Sequence, residues 1–207
     1  MKLRPTVLGL GKNLVDSRFA NCEFFIILKR KTYSPMKKHS GMRPHDIAIL
    51  LKIISKGNNN WFMKDLANEL LISASEISES INRSVIGGLI SSDKKTVNRL
   101  GFLDFLKSGL KYVFPQKPGP ISRGIGTAIS ASPLNKEFFS EELFVWPFGK
   151  GNIRGQSIEP LHPKTPEACL NDTSYYELMA LTDAIRIGKA REQNLAFNIL
   201  KERIENV

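Results

Sequence analysis

Lys64-Asp65-Leu66-Ala67-Asn68-Glu69-Leu70-Leu71-Ile72-Ser73-Ala74-Ser75-Glu76-Ile77 is the stretch on which the reading of this chain turns. Leu66, Ala67 and Leu70 fall on one face of a short helix, and Ala67 is small enough for a second helix to approach closely. After a turn, Ser73 and Glu76 have the spacing of a capping box, in which the serine hydroxyl accepts from the third helical amide while the glutamate reaches back. The box opens a further helix whose expected inner stripe is Ala74, Ile77, Ile81 and Val85. Two short helices joined by a tight turn make a helix-turn-helix.

The flanks extend the pattern in both directions. Upstream, Pro44 suits a first helical turn, and Ile47, Leu50, Leu51 and Ile54 follow at the spacing of one buried stripe. That helix stops at Ser55-Lys56-Gly57 and enters a turn at Asn58-Asn59-Asn60, with Trp61 and Phe62 anchoring a short extended piece. Downstream, Gly87-Gly88 ends the capped helix, and Leu89 to Val97 reads as two brief strands around a polar turn with Lys94 and Lys95 at its tip, which is a wing. Asn98 to Phe114 is expected as a fourth helix, lined by Leu100, Leu103, Leu106 and Leu110 and broadened by Phe102 and Phe105. Its surplus apolar surface is expected to pack on the C-terminal half, with dimerisation as the alternative.

Asp65-Leu66-Ala67-x-x-Leu70-x-Ile72-Ser73-x-Ser75-x-Ile77, followed by Gly88-Leu89-Ile90, resembles the winged helix-turn-helix of bacterial MarR-like transcriptional regulators over residues 42–115. The family often carries glycine at the turn where this chain has Leu71. The resemblance implies that the capped helix enters the major groove, and a helical wheel then puts Ser75, Glu76, Glu79, Asn82, Arg83 and Ile86 outward. Asn82 suits adenine, Arg83 guanine or a phosphate, Ser75 a phosphate, and Glu79 the amino group of cytosine. Lys94 and Lys95 would grip the backbone. Against this stand the repulsion of Glu76 and Glu79 by phosphates, and a plainer use for both: Glu76 in the cap and Glu79 paired with Arg83 four residues on. Winged helices also dock proteins, so an antitoxin-like or adaptor role is the second class of function.

The overall charge of +10 does not by itself argue for DNA, because residues 1–41 carry nine Lys or Arg against two acids and the remaining 166 residues carry only +3. The first segment has no sustained periodicity and reads either as a basic arm contacting nucleic acid or as an extension preceding a start at Met42. Residues 116–166 form a Pro- and Gly-rich segment, expected to hold a β-hairpin of Phe144-Val145-Trp146 with Ile153 to Ile158. Ser122-Arg123-Gly124-Ile125-Gly126-Thr127 lacks the third glycine and the Lys-Ser/Thr ending of a phosphate loop, and reads as an irregular surface segment. Helical order returns over residues 167–207, with Thr165-Pro166-Glu167 as a start, a stripe of Tyr175, Leu178, Met179, Thr182 and Ile185 running to Gly188, and a last helix with Leu195, Ile199, Leu200 or Ile204 inward. Asp183 and Arg186 are expected to pair at i, i+3.

Nothing in the sequence assembles a catalytic group. His39, His45 and His162 lack the spacing of a metal site, and Cys22 and Cys169 are too few for a disulfide framework. His45 and His162 are expected to be bystanders, Cys169 a buried thiol, and no apolar run reaches the ~18 residues of a membrane span. The expectation is therefore a mainly α protein with small β content, a winged helix-turn-helix followed by a hairpin segment and C-terminal helices. Its expected role is that of a cytoplasmic, dimeric, DNA-binding autorepressor partnered by double-stranded DNA, with no enzyme activity, cofactor, metal or membrane partner.

Overall fold

Pro44 in the first turn, with the Asp46 carboxylate accepting from the backbone amide of Arg43 at 2.8 Å, starts α1 (Pro44–Ser55). The computed structural model describes residues 41–57 and 60–206; the arm expected over residues 1–41, Gly41 apart, and most of the Asn58–Asn60 turn lie outside them. Every side chain from Asp46 to Ile54 is buried, so α1 is a central helix covered all round, where a single inward stripe was expected. On one side it meets α2 (Met63–Leu70) and α3 (Ala74–Ile86), and on the other the long α7 (Thr173–Ile187).

The protein is mainly α with a small sheet. The fourth helix breaks at Gly109 into α4 (Arg99–Ser108) and α5 (Leu110–Val113). Leu103, Leu106 and Leu110 are buried as the stripe requires, but Leu100 is 72% exposed, because Phe102 takes the inward place in that turn. The surplus apolar face of α4 is spent within the chain, on α7 and on α8 (Ala190–Glu205), with Lys107 lying over the Phe197 ring. The segments 42–115, 116–166 and 167–207 share one core, in which Leu51, Phe102, Trp146, Leu181 and Leu200 belong to a single cluster.

The middle segment departs furthest from expectation. Its strands are β1 (Ile121–Gly126), β2 (Phe144–Pro147) and β3 (Ile153–Ser157), and β1 runs antiparallel to both others. Gly124 faces Pro147 on one side and Ile153 on the other, and β2 and β3 pair with each other in parallel, closing a three-stranded barrel in place of the expected hairpin. The stretch expected to be an irregular surface segment is thus β1 itself. Its glycines serve close approach: a Cβ at Gly124 would collide with the Trp146 carbonyl, and one at Gly155 with the Leu143 backbone. α6 (Thr165–Cys169) leads to Asp172, whose carboxylate caps α7 by accepting from the Tyr175 amide at 2.9 Å. Among the described residues no helix is long and apolar enough to cross a membrane.

Candidate nucleic-acid interface

α2 ends at Leu71, whose φ of 57° and ψ of 39° put it in the left-handed region, and two residues later Ser73 caps α3 by accepting from the Glu76 amide at 3.2 Å. The capping interaction forms as the sequence suggests, but the Glu76 carboxylate is used elsewhere. α3 is seated by Ile77, Ser80, Ile81 and Ser84, all buried, whereas Ala74 is exposed and Val85 half-buried, so the inward stripe is rotated from the expected one. Ser75 and Glu79 are exposed, Asn82 is half-buried, and Ile86 is 61% exposed. These four form the outer side of α3.

Arg83 is not on that side. It is 6% exposed and makes a two-pronged pair with Asp46 of α1, Nη2 donating to Oδ1 at 2.7 Å and Nε to Oδ2 at 3.0 Å. Nη2 also donates to Glu76 Oε1 at 2.7 Å, where Arg43 adds a contact of 3.4 Å. The expectation that Arg83 lies on the outward face, free to meet guanine or a phosphate, is corrected: a fully buried Asp46 needs a cation, and the guanidinium turns along the helix flank to supply it. The hydrogen bond to Asp46 raises Arg83 above the ordinary arginine value, more than burial lowers it. Burial pushes the Glu76 carboxyl up, but the bonds from Arg83 and His45 outweigh it and hold the group below its usual range.

His45, expected as a bystander, stands in this cluster, its Nε2 at 2.7 Å from Glu76 Oε1 and 3.1 Å from Arg83 Nη2. His162 reaches it from the loop after β3, the two rings meeting edge to face with centroids 6.2 Å apart. Burial, then the neighbouring His45 and Lys164, push the His162 imidazole below its ordinary value. The sequence carried no signal for this assembly, because its members come from three separated segments.

A second charged joint fixes α2. Lys52, 4% exposed, donates to Asp172 at 2.6 Å and pairs with Glu69 at 2.9 Å, while Lys56 reaches Glu69 at 2.6 Å. Burial alone would lower Lys52, and the two carboxylates raise it above its ordinary value. The start of α7 is thereby tied through α1 to the helix that precedes α3.

The expected wing is reduced to one antiparallel bridge, Ile90 with Val97, closing a turn over residues 91–96. The Ser91 hydroxyl donates to Asp93 and accepts from the Thr96 amide at 3.1 Å, and Lys94 has a φ of 61°. Both lysines are exposed, as expected, but Lys95 leans back: its ammonium lies 5.3 Å from the Trp61 ring and 5.8 Å from the Phe62 ring. Trp61 is buried as the expected anchor, but Phe62, expected to anchor beside it, is 65% exposed, and Lys64 in the first turn of α2 is exposed too, a residue to which the sequence reading gave no role. No family model, curated protein or solved structure matches the chain.

Proposed function

We propose that the protein is a sequence-specific DNA-binding regulator of the winged helix-turn-helix type, acting as a dimer in the cytoplasm. The observation that carries this reading is the outer side of α3, where Ser75 and Glu79 are exposed and Asn82 is half-buried, while the opposite side is fixed to α1 and α2. With Arg83 committed to Asp46, base reading falls to Asn82, whose amide can pair with an adenine edge, and to Glu79, which can accept from a cytosine amino group. Ser75 at the helix start and Lys94 and Lys95 in the following turn supply phosphate contacts. Arg83 acts through α3, holding the helix in position.

Selection of bound duplexes from a random-sequence pool, followed by anisotropy titration of the enriched site, tests the reading. Asn82→Ala is expected to cost about 1–3 kcal/mol on that site and to relax preference at one base per half-site, whereas Lys94→Ala weakens all sequences alike. A pool that shows no enrichment at low salt overturns the proposal. That outcome favours the docking of a protein partner, a second reading supported by Ile86, an exposed apolar side chain one turn beyond Asn82 on the same side of α3.

A further inference from the structure

Lys52, Lys56, Arg83, Arg186 and Arg203 each sit on a carboxylate. Lys95 and Arg99 have no such partner among the described residues, and they share one cavity of about 330 Å³ between the end of α1, the 91–96 turn and the start of α4. Ile54, Trp61 and Val97 give the cavity an apolar wall, the Asn60 amide adds a neutral polar group, and among the described residues no carboxylate lines it, the nearby Asp93 being turned to the Ser91 hydroxyl and the Lys95 amide.

The geometry points to this cavity as a binding site for a small organic oxyanion, a phosphate monoester carried on a flat apolar body. Two like charges beside a concave apolar wall create a positive potential that an anion relieves, and the low-dielectric wall strengthens that attraction. The volume is larger than a bare phosphate needs and stands at the lower end of small-ligand pockets, so ring and oxyanion fit together. Lys95 is held at the rim by the Trp61 and Phe62 rings and meets an incoming oxyanion there, while Arg99 offers a planar fork of donors. The shared chemistry, a phosphate oxyanion near a flat ring, is presented by a free aryl phosphate as a monoester and by a DNA strand as a phosphodiester beside its base.

The test is titration of the full chain with phenyl phosphate, inorganic phosphate and benzyl alcohol at constant ionic strength, read by tryptophan fluorescence and by calorimetry. Phenyl phosphate is expected to bind saturably and at least about tenfold more tightly than inorganic phosphate or than benzyl alcohol, a neutral aryl probe. Lys95→Met and Arg99→Met should each weaken it by about tenfold or more without changing thermal unfolding, and Trp61→Phe should remove the fluorescence change. Benzyl alcohol binding as tightly as phenyl phosphate, or full affinity in the Lys95→Met/Arg99→Met double variant, overturns the proposal. These titrations contain no DNA, so their failure is distinct from failure of the winged-helix reading. Added duplex separates the two sources: displacement of phenyl phosphate assigns the site to a nucleic-acid phosphate, and undisturbed binding assigns it to a free ligand.

Discussion

Among the described residues two arginines are buried, Arg83 and Arg186, each against a carboxylate with no exposure of its own, and their surroundings differ. Asp183 on α7 accepts from Arg186 at 2.7 Å, from the Trp146 indole at 2.6 Å and from the Thr127 hydroxyl at 3.0 Å. Arg186 also donates from Nε to the Phe114 carbonyl and from Nη1 to the Glu159 carbonyl. That joint has one cation, one anion and otherwise neutral partners, and it ties α7 to the barrel and to the end of α5. Asp46 and Arg83 stand instead among Glu76, Arg43 and two histidines, and the cluster opens to solvent through Glu76 and Arg43, whose side chains are 31% and 50% exposed. A closed joint is a structural rivet; an open one, bordered by titratable groups, remains sensitive to its conditions.

The sharpest way to break the comparison is to remove one carboxylate from each joint. Asp183→Ala leaves a buried guanidinium, an indole N–H and a hydroxyl without their acceptor and should cost about 3–5 kcal/mol. For a chain of this size that lowers Tm by roughly 6–20 °C. Glu76→Gln, at the open edge of the other joint, should cost less than about 1 kcal/mol, because solvent reaches the site and the Asp46 pair survives. Similar losses in the two variants, measured by thermal or urea unfolding, would mean that openness does not separate them.

The same pair shows what was legible in the sequence and why. Asp183 and Arg186 lie three residues apart, so helix geometry alone predicts their contact, and the structure contains it. Arg83 and Asp46 lie 37 residues apart, and a helical wheel cannot register a demand for charge made by another helix. The apolar stripes of α1 and α7 and the Ser73 cap were readable because they are local and periodic. The closed barrel was not, because its register depends on where glycine allows one backbone against another, which a hydrophobic pattern does not encode. Of the candidate site residues, Ser75, Glu79, Asn82, Lys94 and Lys95 keep some solvent exposure, and Arg83 was the one misplaced.

Acidification sharpens the comparison with a smaller effect. The folded state lowers the His162 imidazole, through burial and then through His45 and Lys164, so it favours the neutral ring. The stability this contributes is fully present above the ordinary value near 6.5 and is lost as pH falls through the lowered folded value. The depressed carboxylates Glu69, Glu76 and Asp172 contribute in the same direction, but only below their own ordinary values of 4.5, 4.5 and 3.8. A decline in Tm that begins just below pH 6.5 should therefore belong to the open joint and should flatten in His162→Gln. Unchanged pH dependence in that variant would remove His162 from the account.

The smallest expected effect concerns the turn that carries α3. Leu71 adopts a left-handed conformation, which costs a side-chain-bearing residue roughly 1–2 kcal/mol, and at 46% exposure it recovers only part of that through burial. Glycine occupies such positions without the steric cost, though it gives back some of the gain through the greater entropy of the unfolded chain. Leu71→Gly should then stabilise the protein by about 0.5–1 kcal/mol, a rise in Tm of roughly 1–4 °C. Leu71→Ala keeps the Cβ and its strain while losing the apolar contact, so it should not stabilise. A gain with glycine and none with alanine assigns the cost to backbone conformation. If glycine instead lowers Tm more than alanine does, the contacts of the leucine outweigh its strain, and the side chain is what holds the turn between α2 and α3.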